Sequence, residues 1–315
     1  FQLAHREGRG LALAADPRVM GGHDGRLRAL LLHDGRFAPR PHRATRLHAV
    51  DFNYELDGVP MKDDLWQTMT PAELYRRMLD GAEAKTSQVN VGEYLAFWEP
   101  MLDAGKDVVQ VTLSSGVSGT YASACAAANQ ARERWPERRV WVVDSLCASG
   151  GYGMLAARMA RLRSEGMGAA ELVAWAEANR ERVQHWFFSS DLTFFVRGGR
   201  ISRAAGLIGG ALNICPVMDV APDGSLAVVD KVRTKRKAMR RVGDRIRELS
   251  DGYAGDVFMT HSDCLADAEA LTAMIREAFP GVGDVRISDI GAAIGVHTGP
   301  GTVATFFWDK PGGRV

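Results

Sequence analysis

Cysteine is scarce and scattered, with four in 315 residues and neither a CxxC pair nor a zinc-ligand spacing. That excludes a disulfide-stapled scaffold and a zinc module, and it points to reduced thiols in the cytoplasm. No apolar run of about 18 residues occurs and no signal peptide is evident, so no membrane-spanning helix is expected. Charge of one sign is lacking too: 39 Lys and Arg face 38 Asp and Glu. No global field therefore favours nucleic acid or an acidic membrane surface. What remains is a chain 46% apolar and 24% charged. That is an ordinary globular balance, with room for a sizeable core in one large or two medium domains.

Residues 1–48 stand apart. They hold five of the eight histidines, nine arginines and no lysine. The stretch reads either as an atypical N-terminal extension or as a segment the fold did not evolve with. From Asp51 onward the pattern is orderly. Residues 49–57 alternate as a half-buried strand and end at an Asp57-Gly58 turn. Thr70-Pro71 opens a helix over 71–80, and Asn90 with Glu93 forms a capping box for a helix over 90–103. A strand at 108–113, a Ser/Gly loop, a helix over 121–135 and a strand at 140–143 alternate as parallel βαβ units do. A further helix runs from the Gly150–Gly153 segment through Arg163.

The second half reads as α+β. Helix 171–182, an apolar segment at 183–188 and a short helix after Leu192 come first. Strands 213–220 and 226–232 flank a Pro222-Asp223-Gly224 hairpin turn. Helix 235–249, strand 257–261, helix 266–278 and strands 285–290 and 302–308 follow. The expected organisation is an atypical segment over 1–48, a parallel βαβ domain over 49–165 and an α+β domain over 166–315.

Five constellations can carry chemistry. Ser114-Ser115-Gly116-Val117-Ser118-Gly119-Thr120 lies where a strand ends and a helix begins. Outward amides, small glycines and four hydroxyls suit an anion of low charge such as a carboxylate. A well-capped helix with an ordinary loop fits the same residues. The loop lacks the Gly-Lys-Ser/Thr ending of a phosphate loop and the G-x-S-x-G spacing of a nucleophile elbow. Thr86-Ser87-Gln88, just before the helix start at Asn90, is a second candidate, which on its own reads as a turn or cap cluster. Gly295 to Gly301 sets His297 among glycines, expected at a strand's end, as a structural hydrogen-bond donor or a functional group. Arg197-Gly198-Gly199-Arg200 is an anion contact or a surface turn. The basic run Lys231 to Arg241 is a solvated face or a docking surface, without the interleaved aromatics that base stacking needs.

In this order, over about residues 49–308, these segments resemble the DegV family of bacterial lipid-binding proteins. Val143-Asp144-Ser145 and Lys231-Val232-Arg233-Thr234 belong to the same ordered set. The resemblance implies a two-domain α/β fold with a long-chain fatty acid buried between the domains, and no catalysis on it. Thr86 and Ser115 would hold the carboxylate, with Ser87 and Ser114 adjacent and with Arg200 and His297 completing the polar network. The acid would be handed to a separate fatty acid kinase, with Arg233 on the docking surface. No cofactor, metal or nucleic acid is implied, and passing membrane contact is compatible. The alternatives are an acyl- or phosphoryl-transfer enzyme using Ser115 with His297, and a regulator docking through the basic helix. Two departures stand out. No Asp-Ser-Thr strand precedes residue 49, so the parallel sheet is expected to lack its first strand. Val89 stands where the family has proline after Thr-Ser-Gln.

Overall fold

The structure is a computed structural model that describes residues 9–15, 47–202, 214–250 and 252–309. In chain order the first half holds β1 (Arg9–Ala15), β2 (His48–Asp51), β3 (Asn53–Leu56), β4 (Val59–Lys62), α1 (Pro71–Leu79), β5 (Ala84–Ser87), α2 (Val91–Asp103), β6 (Asp107–Thr112), α3 (Thr120–Arg134), β7 (Val140–Asp144), α4 (Gly150–Ser164) and α5 (Ala169–Asn179). The second half holds β8 (Val183–Ser189), α6 (Thr193–Arg197), β9 (Ile214–Val220), β10 (Leu226–Arg233), α7 (Lys235–Leu249), β11 (Val257–His261), α8 (Leu265–Ala278), β12 (Val285–Asp289), α9 (Ala292–Thr298) and β13 (Thr302–Trp308).

Three sheets organise these elements: β2-β1-β6-β7, β10-β9-β8-β13-β11-β12, and a small β4-β3-β5. Helices α2 and α3 cover the outer face of the first sheet, and α7 and α8 the outer face of the second. Helix α4 lies between the two sheets and touches strands of both. Its buried face carries Tyr152, Leu155 and Met159, so one apolar core runs from α2 through α4 to Phe306 of β13. The fold is α/β, with the parallel β6–β7 pair joined through α3 as the pattern predicts.

The structure fills the place where a strand was expected to be missing. β1 lies beside β6, but antiparallel, with Leu11 opposite Val111 and Ala15 opposite Asp107. Strand β6 is buried along nearly its whole length, and an unpaired inner edge would leave its amides and carbonyls without partners. Apart from β1 and the two residues before Ala49, the atypical N-terminal segment lies outside the described residues.

The strand expected over 49–57 breaks at Phe52: β2 belongs to the first sheet and β3 to the small one. Asp57 and Gly58 both have positive φ, 54° and 79°, as a two-residue hairpin turn requires. The capping box forms on α2. Glu93 N–H donates to Asn90 Oδ1 at 3.0 Å and Asn90 N–H to Glu93 Oε2 at 2.9 Å. Glu93 also accepts from Asn53 of β3, so the same side chain ties the small sheet to α2. Val89, in the family's proline position, is fully buried in the core.

One further expectation is corrected. Residues 295–298 do not sit at a strand's end but form the last turns of α9. Ala292, Ala293 and Ile294 sustain that helix, and Gly299, with φ 63°, ends it.

Candidate functional site

Thr86 stands at the end of β5, paired with Tyr54 of β3. His297 stands in the last turn of α9. The fold brings these residues, 211 apart in sequence, to a hydrogen bond of 2.7 Å between Thr86 Oγ1 and His297 Nε2. Burial, followed by the Arg200 charge, pushes the His297 pKa down to about 3. The imidazole is therefore neutral at physiological pH. Its Nδ1 is buried without a hydrogen bond. The ring fits only because residue 198 is glycine: a Cβ there would fall 2.2 Å from Nδ1.

A cavity of about 240 Å³ opens at this pair. Its polar lining includes Thr86, Ser87, Ser118, Thr120, Arg200 and His297, and its apolar walls include Phe52, Leu113, Phe195 and Leu226. Arg200 is the one lysine or arginine among the described lining residues. Its Nε donates to Val117 O at 3.2 Å and its Nη1 to Gly198 O at 2.6 Å. Half-burial lowers its pKa, as expected for a cation held partly out of water.

The Ser/Gly loop divides its hydroxyls differently from the expectation. Ser114 is buried and donates from Oγ to Gly224 O at 2.7 Å, while accepting from Gly116 N–H at 3.0 Å. It latches the β9–β10 turn to the loop and does not line the cavity. Ser115 is exposed, its N–H donating to Asp144 Oδ1 at 3.1 Å, and it too is outside the lining. The hydroxyls this loop sends to the cavity are Ser118 and Thr120, 2.8 Å apart. Sequence reasoning counted them among the loop's four hydroxyls but gave the carboxylate to Ser115, with Ser114 adjacent. The available signal was position: Ser118 immediately precedes Gly119, the N-cap of α3, which has no side-chain cap of its own.

Ser87 lies at the cavity edge, on the outer side of β5 from Thr86. Arg233 is exposed at the end of β10 opposite Leu226 and does not reach the cavity. In the basic run, Lys235 pairs with Asp267, and Arg241 with Asp230 and Glu248. Lys231, Arg233, Arg236, Lys237 and Arg240 are exposed with no acidic partner among the described residues. No group of three metal-ligating side chains occurs among the described residues, and no helix there is long and apolar enough to cross a membrane.

The model of the family described as "Uncharacterised protein, DegV family" matches residues 37–310. The chain belongs to the DegV family. A DegV domain-containing protein of Clostridium perfringens is 33% identical over 264 residues, covering 82% of this chain and 90% of that protein. A solved DegV family protein from Thermus thermophilus, described as fatty acid binding, superposes with a TM-score of 0.75 at 27% identity, covering 82% of this chain and 91% of that one. The Streptococcus pneumoniae Fatty Acid Kinase (Fak) B3 protein, loaded with linoleic acid, shares the fold with a TM-score of 0.74 at 24% identity, over 82% and 90% of the two chains.

Proposed function

We propose that this DegV protein is a non-catalytic carrier of a long-chain fatty acid, which it presents to a separate fatty acid kinase. The observation that carries this reading is the meeting of Thr86, Ser118, His297 and Arg200 on one cavity with apolar walls. Hydroxyls, a neutral imidazole and one guanidinium suit a single carboxylate. An acyl tail adds roughly 0.8 kcal/mol per buried methylene, so it can supply most of the affinity. The kinase is proposed from the Streptococcus pneumoniae relative and from the unpaired cations around Arg233. A transferase would need Ser115 close to His297, but Ser115 is exposed, outside the cavity lining, and His297 is bonded to Thr86.

The test is uptake of palmitate or oleate by the delipidated protein. Ser118→Ala is expected to weaken retention by about tenfold, the cost of one hydrogen bond to a charged group, while Ser115→Ala stays within about twofold. No uptake by the unaltered protein would refute the carrier. The reverse ranking of the two serines would move the head group to Ser115.

A further inference from the structure

Asp63 follows β4 and is completely buried, and no cation pairs with it among the described residues. Its Oδ2 accepts from Ala293 N–H, in the first turn of α9, at 2.9 Å. The amides of Ala292 and Leu65 also favour its charged form. Leu65 is presented by an unusual backbone: Leu65 and Trp66 have φ 66° and 64°. Left-handed geometry costs a residue with a side chain roughly 1–2 kcal/mol, and it persists where the surroundings over-determine it. Here Asp64 fixes the turn, accepting from Gln67 N–H at 2.9 Å and from the Thr68 hydroxyl.

Asp63 also donates its own N–H to Phe52 O at 2.9 Å, at the entry to the small sheet. That sheet carries Thr86. The two ends of α9 are thus tied to one sheet: the first turn through Asp63, the last through the bond between His297 and Thr86. Between them Tyr75 of α1 packs so closely that a Cβ on Gly295 would fall 2.4 Å from its hydroxyl. A shift of the first turn is therefore passed along the helix to His297.

We propose that Asp63 is the positioning residue of the head-group site, setting through α9 where His297 meets Thr86 and hence where a carboxylate is held. This rests on the carrier reading above. Burial raises the Asp63 pKa to about 6 against the pull of its three amides. The groups facing it are Asp64, Tyr54 of β3, and Tyr75 of α1, on which Asp289 of β12 also acts. Burial holds both tyrosines neutral, and His297 stays neutral down to about 3. The folded pKa of Asp63 lies above its unfolded value. As pH falls through about 6, the folded protein takes up a proton that the unfolded chain does not. The neutral acid is a weaker cap than the carboxylate.

Two measurements on delipidated protein test this. In an NMR titration, the His297 ring and Thr86 methyl signals should move with a midpoint of about 6 in the unaltered protein. They should lose that inflection in Asp63→Asn, which keeps an acceptor but does not titrate. In a palmitate titration Asp63→Ala should lose about tenfold in affinity, while Asp63→Asn stays within about threefold. An inflection that survives Asp63→Asn, or a folded Asp63→Ala protein that binds like the unaltered one, would overturn the proposal. Should Asp63→Ala fail to fold, the comparison with Asp63→Asn decides alone. If the unaltered protein binds no palmitate, the carrier reading fails, and the NMR arm still judges the hold of Asp63 on His297.

Discussion

Thr86→Val lowers the stability of the empty protein by about 2 kcal/mol, or about 5 °C in Tm, and weakens fatty-acid binding by ten- to a hundredfold. Valine matches threonine in shape, so packing is kept and only the hydroxyl is lost. In the empty protein, His297 Nε2 then has no partner, while Nδ1 is already buried without one. A buried imidazole with both nitrogens unsatisfied carries the desolvation cost of each. On the proposed carrier reading, the same change also removes a donor to the bound carboxylate, and bonds to charged groups are the stronger class. Chemical denaturation of delipidated protein measures the first effect and calorimetric titration with palmitate the second. Unchanged values in both would mean that the Thr86–His297 pair neither stabilises the fold nor holds the ligand.

Gly116→Ala acts on the other wall of the cavity, and its effect on stability is expected to be larger. A Cβ at 116 would lie 2.4 Å from the carbonyl carbon of Gly224 and 2.5 Å from the Ser225 nitrogen. Both are backbone atoms, so no rotamer relieves the clash. The β9–β10 turn must move off the loop, and the Ser114 bond to Gly224 O breaks with it. Overpacking and one buried unsatisfied hydroxyl together cost about 3 kcal/mol or more. Leu226, at the start of β10, lines the cavity, so ligand retention falls as well. The control is Gly243→Ala on α7, where a Cβ meets nothing. There a gain of about 0.5–1 kcal/mol is expected from helix propensity. Equal, small effects at 116 and 243 would show that the turn does not need its close approach.

Much of the framework was legible because its signals are local. Helix α7 and strands β11 and β13 begin and end where amphipathic period, turn residues and buried runs place them. The capping box of α2 is written in Asn90 and Glu93 alone. Helix α9 was not legible: three glycines in Gly291-Ala-Ala-Ile-Gly-Val-His-Thr-Gly hide its helical period and place the segment at a strand's end. Its support comes from Asp63, 230 residues earlier, and from the packing of Ala292 and Val296 beside Phe194 and Tyr75.

The site divides in the same way. The motifs that meet at the cavity could be named in order because that order resembles the DegV family's; read singly, each also fits an ordinary turn or cap. Which hydroxyls turn inward could not. Ser114 is claimed by a turn 110 residues away, and Ser118 is left lining the cavity. The direction of β1 was hidden for a related reason. β1 pairs antiparallel with the edge of β6, a long-range pairing that no local pattern reveals.

The most direct measurement is a crystal structure of the protein loaded with palmitate. One acid per chain is expected, its carboxylate among Thr86, Ser118 and His297, with Arg200 adjacent and the tail against Phe195 and Leu226. A carboxylate bound at Ser114 or Ser115, or a cavity that stays empty at saturating palmitate, would contradict that expectation.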